Sequence, residues 1–133
     1  MNIKSDKNDI LFSKMIRERD GNKCVFCGRT AAQGWKMTCS HFWGRGDKLN
    51  RFNPKNCDTL CFMCHTNNEG NKQGMYREWK INQLGNKEYT ELEKSHYQGY
   101  KKYGKFEKAL LQTILKEQFN NKEYLKAGWT VKF

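Results

Sequence analysis

Two C-x-x-C pairs, Cys24-Val25-Phe26-Cys27 and Cys61-Phe62-Met63-Cys64, constrain this chain more than any of its apolar stretches. Each pair forms a knuckle that aims two sulfurs at one point, and two knuckles supply the four thiolates of a tetrahedral structural zinc. A shared ion would close the segment between them into a metal-clasped loop, so the chain there must turn back on itself. His65, directly after the last cysteine, leaves open a set of three cysteines and one histidine, with His65 in place of Cys64. Cys39 and Cys57 fall outside the pattern and read as small buried residues, with Cys57 near enough to Cys61 for a ligand exchange.

The charge points to a polyanion as partner. Lys and Arg number 25 against 14 Asp and Glu, a net +11 over 133 residues, which fits one domain with little room for a second. The basic residues run from Lys4 to Lys132 rather than forming one tail, and aromatics at 14% add stacking surface. Four thiolates and one Zn²⁺ sum to −2, and a second divalent ion restores that charge. No apolar run approaches the ~18 residues that a membrane span requires. The polar start, Met1 to Asp9, lacks the apolar core of a signal peptide. The expectation is a cytoplasmic protein, where reducing conditions disfavour pairing six cysteines as disulfides.

Periodicity predicts a short amphipathic helix from about Asp6 to Asp20, with Ile10, Leu11, Met15 and Ile16 on its apolar face, Ser5 or Asp6 as cap and Gly21 as stop. Trp35 to Phe42 predicts one strand of a hairpin, Gly44 to Lys48 a flexible loop, and Arg51 to Thr59 the return, with Pro54 at its edge. Beyond Leu60 the pattern turns helical. His65 and Asn68, three residues apart, share a face able to hold an ion, and Gly70 or Gly74 ends the helix. Further helices are predicted over Met75 to Leu84, from about Glu88 through Tyr97, and around Phe106, Leu110, Leu111, Ile114 and Leu115. Trp129 to Phe133 fits either a short strand or a packed tail. The fold class is α+β: a small hairpin-and-helix core stapled by a four-cysteine zinc site, flanked by helices at both ends. Residues 1–103 would form the zinc-stapled unit with its N-terminal helix, and 104–133 a helical extension packed on it.

His41, Asn56 and His65, set between and beside the knuckles, resemble the HNH or ββα-metal nuclease motif. The run His41-Phe42-x-x-Arg45-Gly46, then Leu49-x-Arg51-Phe52 and Asn56, is most similar to the phage NinG (Rap) recombination proteins over about Lys23 to Tyr97. Cys61 to Gly70 also resembles the metal-binding helix of phage resolvases of the endonuclease VII type. The resemblance implies an HNH endonuclease that hydrolyses phosphodiester bonds in branched or recombination-intermediate DNA, leaving 5′-phosphate and 3′-hydroxyl ends. It assigns His41 as general base, Asn56 as the residue that orients the hairpin, and His65, with Asn68, as ligands of a catalytic Mg²⁺ or Mn²⁺.

Many HNH enzymes carry an acidic metal ligand directly before the catalytic histidine; this chain has Ser40. The ion would then rely on water, on Asn68 or Glu69, or on an acid from elsewhere such as Asp58. Arg45 and Arg51 are expected to clamp DNA phosphates, with Lys48, Lys55 and Lys72 as point charges. Phe42 is expected in the core, and Trp43 stacked on an unpaired or splayed base at a junction. A two-fold homodimer would suit a symmetric four-way junction. The rival expectation is a zinc-stabilised DNA-binding accessory protein that keeps the HNH frame but has lost cutting. A third is a sequence-preferring restriction or homing enzyme.

Overall fold

The computed structural model describes residues 3–69 and 74–133. Helix α1 (Lys7–Arg19) opens on the capping box Asp6/Asp9: the Asp9 amide donates to Asp6 Oδ1 at 2.9 Å, and the Asp6 amide donates to Asp9 Oδ2 at 2.8 Å. It stops where Gly21 takes φ 68°, a left-handed turn that glycine adopts without strain. Its buried stripe is Phe12, Met15 and Ile16, spaced i, i+3, i+4. Ile10 departs from the expectation and is 65% exposed, because a residue two positions before Phe12 points to nearly the opposite side of the helix.

Strands β1 (Met37–His41) and β2 (Cys57–Cys61) pair antiparallel, with His41 opposite Cys57 and Met37 opposite Cys61. The return strand is shorter than predicted. Pro54–Asn56 forms a 3₁₀ turn instead of strand, since the Pro54 ring cannot donate to a ladder. All five residues of β2 are buried, because both faces of the hairpin are covered. On one face, α1 accepts a hydrogen bond at the Ile16 carbonyl from the Thr59 hydroxyl. The outer edge of β2 is closed as well: Thr59 N–H donates to Asp20, Thr59 C=O accepts from Val25 N–H, and Arg19 donates to the Cys57 carbonyl.

Helix α2 (Phe62–Asn68) follows β2 without a break. Helices α3 (Met75–Leu84) and α4 (Asn86–Gln98) meet at one residue, Gly85, whose φ of 86° permits the sharp corner. Helix α5 (Lys105–Asn120) packs on α1 through Leu111 and Leu115, while Phe106 stays exposed. The C-terminal stretch is a packed tail, not a strand. Trp129 lies 5.6 Å from the Phe12 ring and donates its indole N–H to Gln118, and Val131 and Phe133 lean on the same core.

Two cores result, one on each side of the hairpin. The first joins α1, α5 and the tail around Phe12, Met15, Ile16, Phe52 and Leu115; the second joins the knuckles, α3 and α4 around Phe42, Leu60, Tyr76, Tyr89 and Leu92. Each such fully buried side chain contributes on the order of 2 kcal/mol. No helix among the described residues is long and apolar enough to cross a membrane.

Candidate functional site

The knuckles meet as their spacing requires. The sulfurs of Cys24, Cys27, Cys61 and Cys64 all lie within 4.8 Å of one another, so the four cysteines can hold a structural zinc. Backbone N–H groups already point at the sulfurs, Cys27 N to Cys24 Sγ and Cys64 N to Cys61 Sγ, each at 3.4 Å. The Arg29 guanidinium sits 3.6 Å from Cys27 Sγ and 3.8 Å from Cys61 Sγ, set to offset the −2 charge of a zinc-loaded cluster. Burial opposes ionisation of the Cys61 thiol, yet the Cys64 N–H and Arg29 together draw it down to about 6. Burial and the neighbouring sulfurs push Cys64 up. Thiolate character is therefore built in at the point where β2 turns into α2, and metal binding would remove the remaining thiol protons.

Beside the cluster, the start of α1, strand β1, the loop after it and α2 enclose a cleft of about 560 Å³ lined by Asp9, Ser40, His41, Arg45, His65 and Glu69, among others. His41 and His65 face this cleft in fixed and complementary tautomers. His41 Nε2 is 2.9 Å from the Arg51 carbonyl, which can only accept, so Nε2 carries the hydrogen and Nδ1 the lone pair. The Thr38 hydroxyl donates to the Leu60 carbonyl at 2.9 Å and so accepts from His65 Nδ1 at 2.8 Å, which leaves the lone pair of His65 on Nε2. Burial, opposed by the bond to Arg51 and reinforced by the Arg45 charge, pushes the His41 ring down to about 4, so it is neutral at physiological pH.

Asn56 is fully buried and lines no part of the cleft. Its amide accepts from Trp43 N–H and donates to the carbonyls of Trp43 and Asn50, which clamps the loop carrying Arg45 against the hairpin. The asparagine holds this loop in place.

A family model described as bacteriophage lambda NinG protein matches residues 4–122. The chain belongs to the NinG family. The match runs past both ends of the Lys23 to Tyr97 stretch that resembles NinG by motif, and so takes in α1 and α5. Comparisons with curated proteins and with solved structures return no match.

In this NinG-family chain several expected site residues are placed elsewhere. Asn68 is buried and donates its side-chain N–H to the Cys64 carbonyl at 2.9 Å, turned away from the cleft. Glu69 faces it instead, because residues i and i+4 of a helix share a side and His65 is the reference. Asp58 is locked against Lys80 at 2.7 Å and accepts from Gln83 on the α3 side. Arg51 is 5% exposed and grips Asp9 with two hydrogen bonds, so its guanidinium is an internal strut. Lys48 is exposed beside the cleft loop without lining the cleft, Lys55 pairs with Glu88 at 3.4 Å, and Lys72 lies outside the described residues, as does Gly70. Trp43 offers no open face: His96 stacks on it at 3.9 Å.

Arg45 does reach the cleft, donating to Ser5 Oγ at 2.6 Å with Asp9 3.8 Å away. Asp9 was invisible to sequence reasoning. It is the third-position partner of the α1 capping box, and its second role, gripping Arg51, needs contacts across more than forty residues.

Proposed function

We propose that this protein is a divalent-metal-dependent DNA endonuclease of the HNH type, acting on branched or recombination-intermediate DNA. The observation that carries the reading is the pair of tautomers in one cleft: a neutral His41 with its lone pair on Nδ1, and His65 with its lone pair on Nε2. The first arrangement suits a general base and the second a metal ligand. In this reading β1, β2 and α2 form the ββα frame, and the zinc held by the four cysteines staples the hairpin to the helix.

The residues present fit a catalytic Mg²⁺ or Mn²⁺, since His65 and the Glu69 carboxylate line one wall of the cleft and a Mg²⁺-class ion keeps several waters. When bound, such an ion supplies charge neutralisation on the phosphate and the leaving oxygen. His41 Nδ1 takes the proton of the attacking water, while the Nε2 bond to Arg51 C=O holds the ring in place and supports the imidazolium that forms. The water oxygen bonds to phosphorus, the bond to the 3′ oxygen breaks, and that oxygen takes a proton from solvent, giving 5′-phosphate and 3′-hydroxyl ends. Arg45, at the cleft rim, is the cation placed to meet a phosphate. The net charge of +11 draws DNA to the surface.

The rival reading, a DNA-binding accessory protein without turnover, draws on Ser40. Where many HNH enzymes have an acid, this hydroxyl is 3% exposed and lies 3.2 Å from Tyr76 OH. Cleavage of a labelled four-way junction beside the matching linear duplex, with Mg²⁺ or Mn²⁺, separates the two. The nuclease reading expects metal-dependent cutting of the junction that His41→Ala lowers by about a hundredfold or more with DNA affinity retained. Tight binding with no cutting in either metal selects the accessory protein.

A further inference from the structure

The two cysteines outside the knuckles are not scattered core residues. Register places Cys57 directly opposite His41, and Cys39 two positions before His41 on the same face of β1. As a result Cys39 Sγ, a His41 ring nitrogen and Cys57 Sγ lie within 4.8 Å of one another. We propose that Cys39, His41 and Cys57 form a second metal site, separate from the four-cysteine cluster, for a thiophilic divalent cation of the Zn²⁺ class, and that its occupation silences the cleft.

The donor set selects the ion. Two sulfurs and an imidazole suit Zn²⁺ or Cd²⁺ and disfavour Mg²⁺, which takes oxygen ligands. Three protein ligands leave a fourth tetrahedral position for water, and the site has a way in, because Cys39 and His41 both line the cleft while Cys57 is sealed beneath. His41 is prepared as a ligand: its Nε2–H is already given to the Arg51 carbonyl, the outer contact a metal-bound imidazole ordinarily makes, and its lone pair is on Nδ1. Binding releases one proton from each thiol to solvent. The resulting pair of thiolates cancels the dication, so the loaded site is neutral beside the Arg45 and Arg51 guanidiniums, which would repel a bare cation.

The binding claim stands on this geometry alone; the silencing claim rests on the proposed role of His41 as base, since a lone pair given to a metal cannot take a proton from water. Equilibrium dialysis of the zinc-loaded full-length protein against added Zn²⁺ tests the first. About two ions per chain are expected for the parent protein and about one for Cys39→Ala, which keeps the four-cysteine cluster. His41→Ala, losing a different ligand of the same site, should also hold about one. Equal counts in the parent and both variants overturn the site. Junction cutting in Mg²⁺ with added Zn²⁺ tests the second: a drop of about tenfold or more is expected in the parent and not in Cys39→Ala. Unchanged cutting by a parent protein that holds the extra ion overturns silencing and leaves the site standing. A protein that never cuts is a failure of the endonuclease reading, and the ion count still decides the site.

Discussion

The two sides of the hairpin are held by different physics. The α1 and α5 side is a conventional core in which Phe12, Met15, Ile16, Leu111, Leu115 and Trp129 bury one another, and the buried ion pair of Asp9 with Arg51 is doubly hydrogen-bonded. The knuckle side has fewer buried aliphatic residues. Cysteines from both knuckles occupy its centre beside Phe42, Leu60 and Tyr76, and Asp58 and Lys80 are buried at its floor. A core of cysteines is only as stable as the ion they share, because free thiols gain little from one another while four thiolates on zinc are strongly bound. One half of the fold therefore rests on apolar burial, and in the other a zinc on the four cysteines would add to the packing of Phe42, Leu60, Tyr76 and Tyr89. The candidate cleft lies where the two meet, with Asp9 reaching it from the first and His65 from the second.

Stripping the zinc with a strong chelator is the severest test of that contrast. Binding worth on the order of 10 kcal/mol is lost, so amide protection should collapse first in residues 23–30 and 57–69 while α1 and α5 exchange later. Hydrogen exchange followed by peptide mass reads this directly, and uniform loss across both halves would show that they share one cooperative unit. Mild EDTA should leave the protection pattern intact and, on the endonuclease proposal, abolish only Mg²⁺-dependent cutting.

A smaller effect is expected from Lys80→Ala. Lys80 is fully buried against Asp58, and its removal leaves that buried carboxylate to the Gln83 amide and, at 4.0 Å, Arg19, at a cost of about 3 kcal/mol, read as a lowered denaturation midpoint. The double replacement Asp58→Leu, Lys80→Met should recover most of that loss. If Lys80→Ala unfolds as the parent does, the buried ion pair contributes little to that half and its apolar packing and metal carry it.

The gentlest probe is pH. His41 takes a proton near 4 in the folded chain and near 6.5 when unfolded, so the unfolded state binds the extra proton between those values and stability declines as pH falls through that window. His41→Gln should remove that part of the slope in urea titrations compared at about pH 7 and pH 5. On the endonuclease proposal, the acid limb of cutting should for the same reason lie near pH 4 rather than at the ordinary histidine value of 6.5.

Periodicity and turn chemistry were enough to place the elements that make local contacts. The Asp6 cap, the Gly21 stop, the full extent of Met75–Leu84 and the strand at Met37–His41 all follow from residues within a few positions of one another. The meeting of the two knuckles was also legible, because thiolate spacing is a local property and a shared ion leaves one arrangement. Of the cleft, His41, His65 and Arg45 were legible. Which acid accompanies them was not, since one residue's difference on α2 turns Asn68 inward and Glu69 outward.

The sequence by itself determined the α+β class, the four-sulfur cluster, the NinG resemblance and the placing of His41 and His65. These depend on residue type, spacing and period. Tertiary structure alone decided the charges: Arg51, expected to clamp DNA phosphates, and Asp58, offered as a metal ligand, are buried in ion pairs with Asp9 and Lys80, and Arg45 is the arginine at the cleft. The physical reason is that a charged side chain is indifferent to its neighbours in sequence. Only a partner brought from a distant element, Asp9 to Arg51 or Lys80 to Asp58, makes its burial affordable.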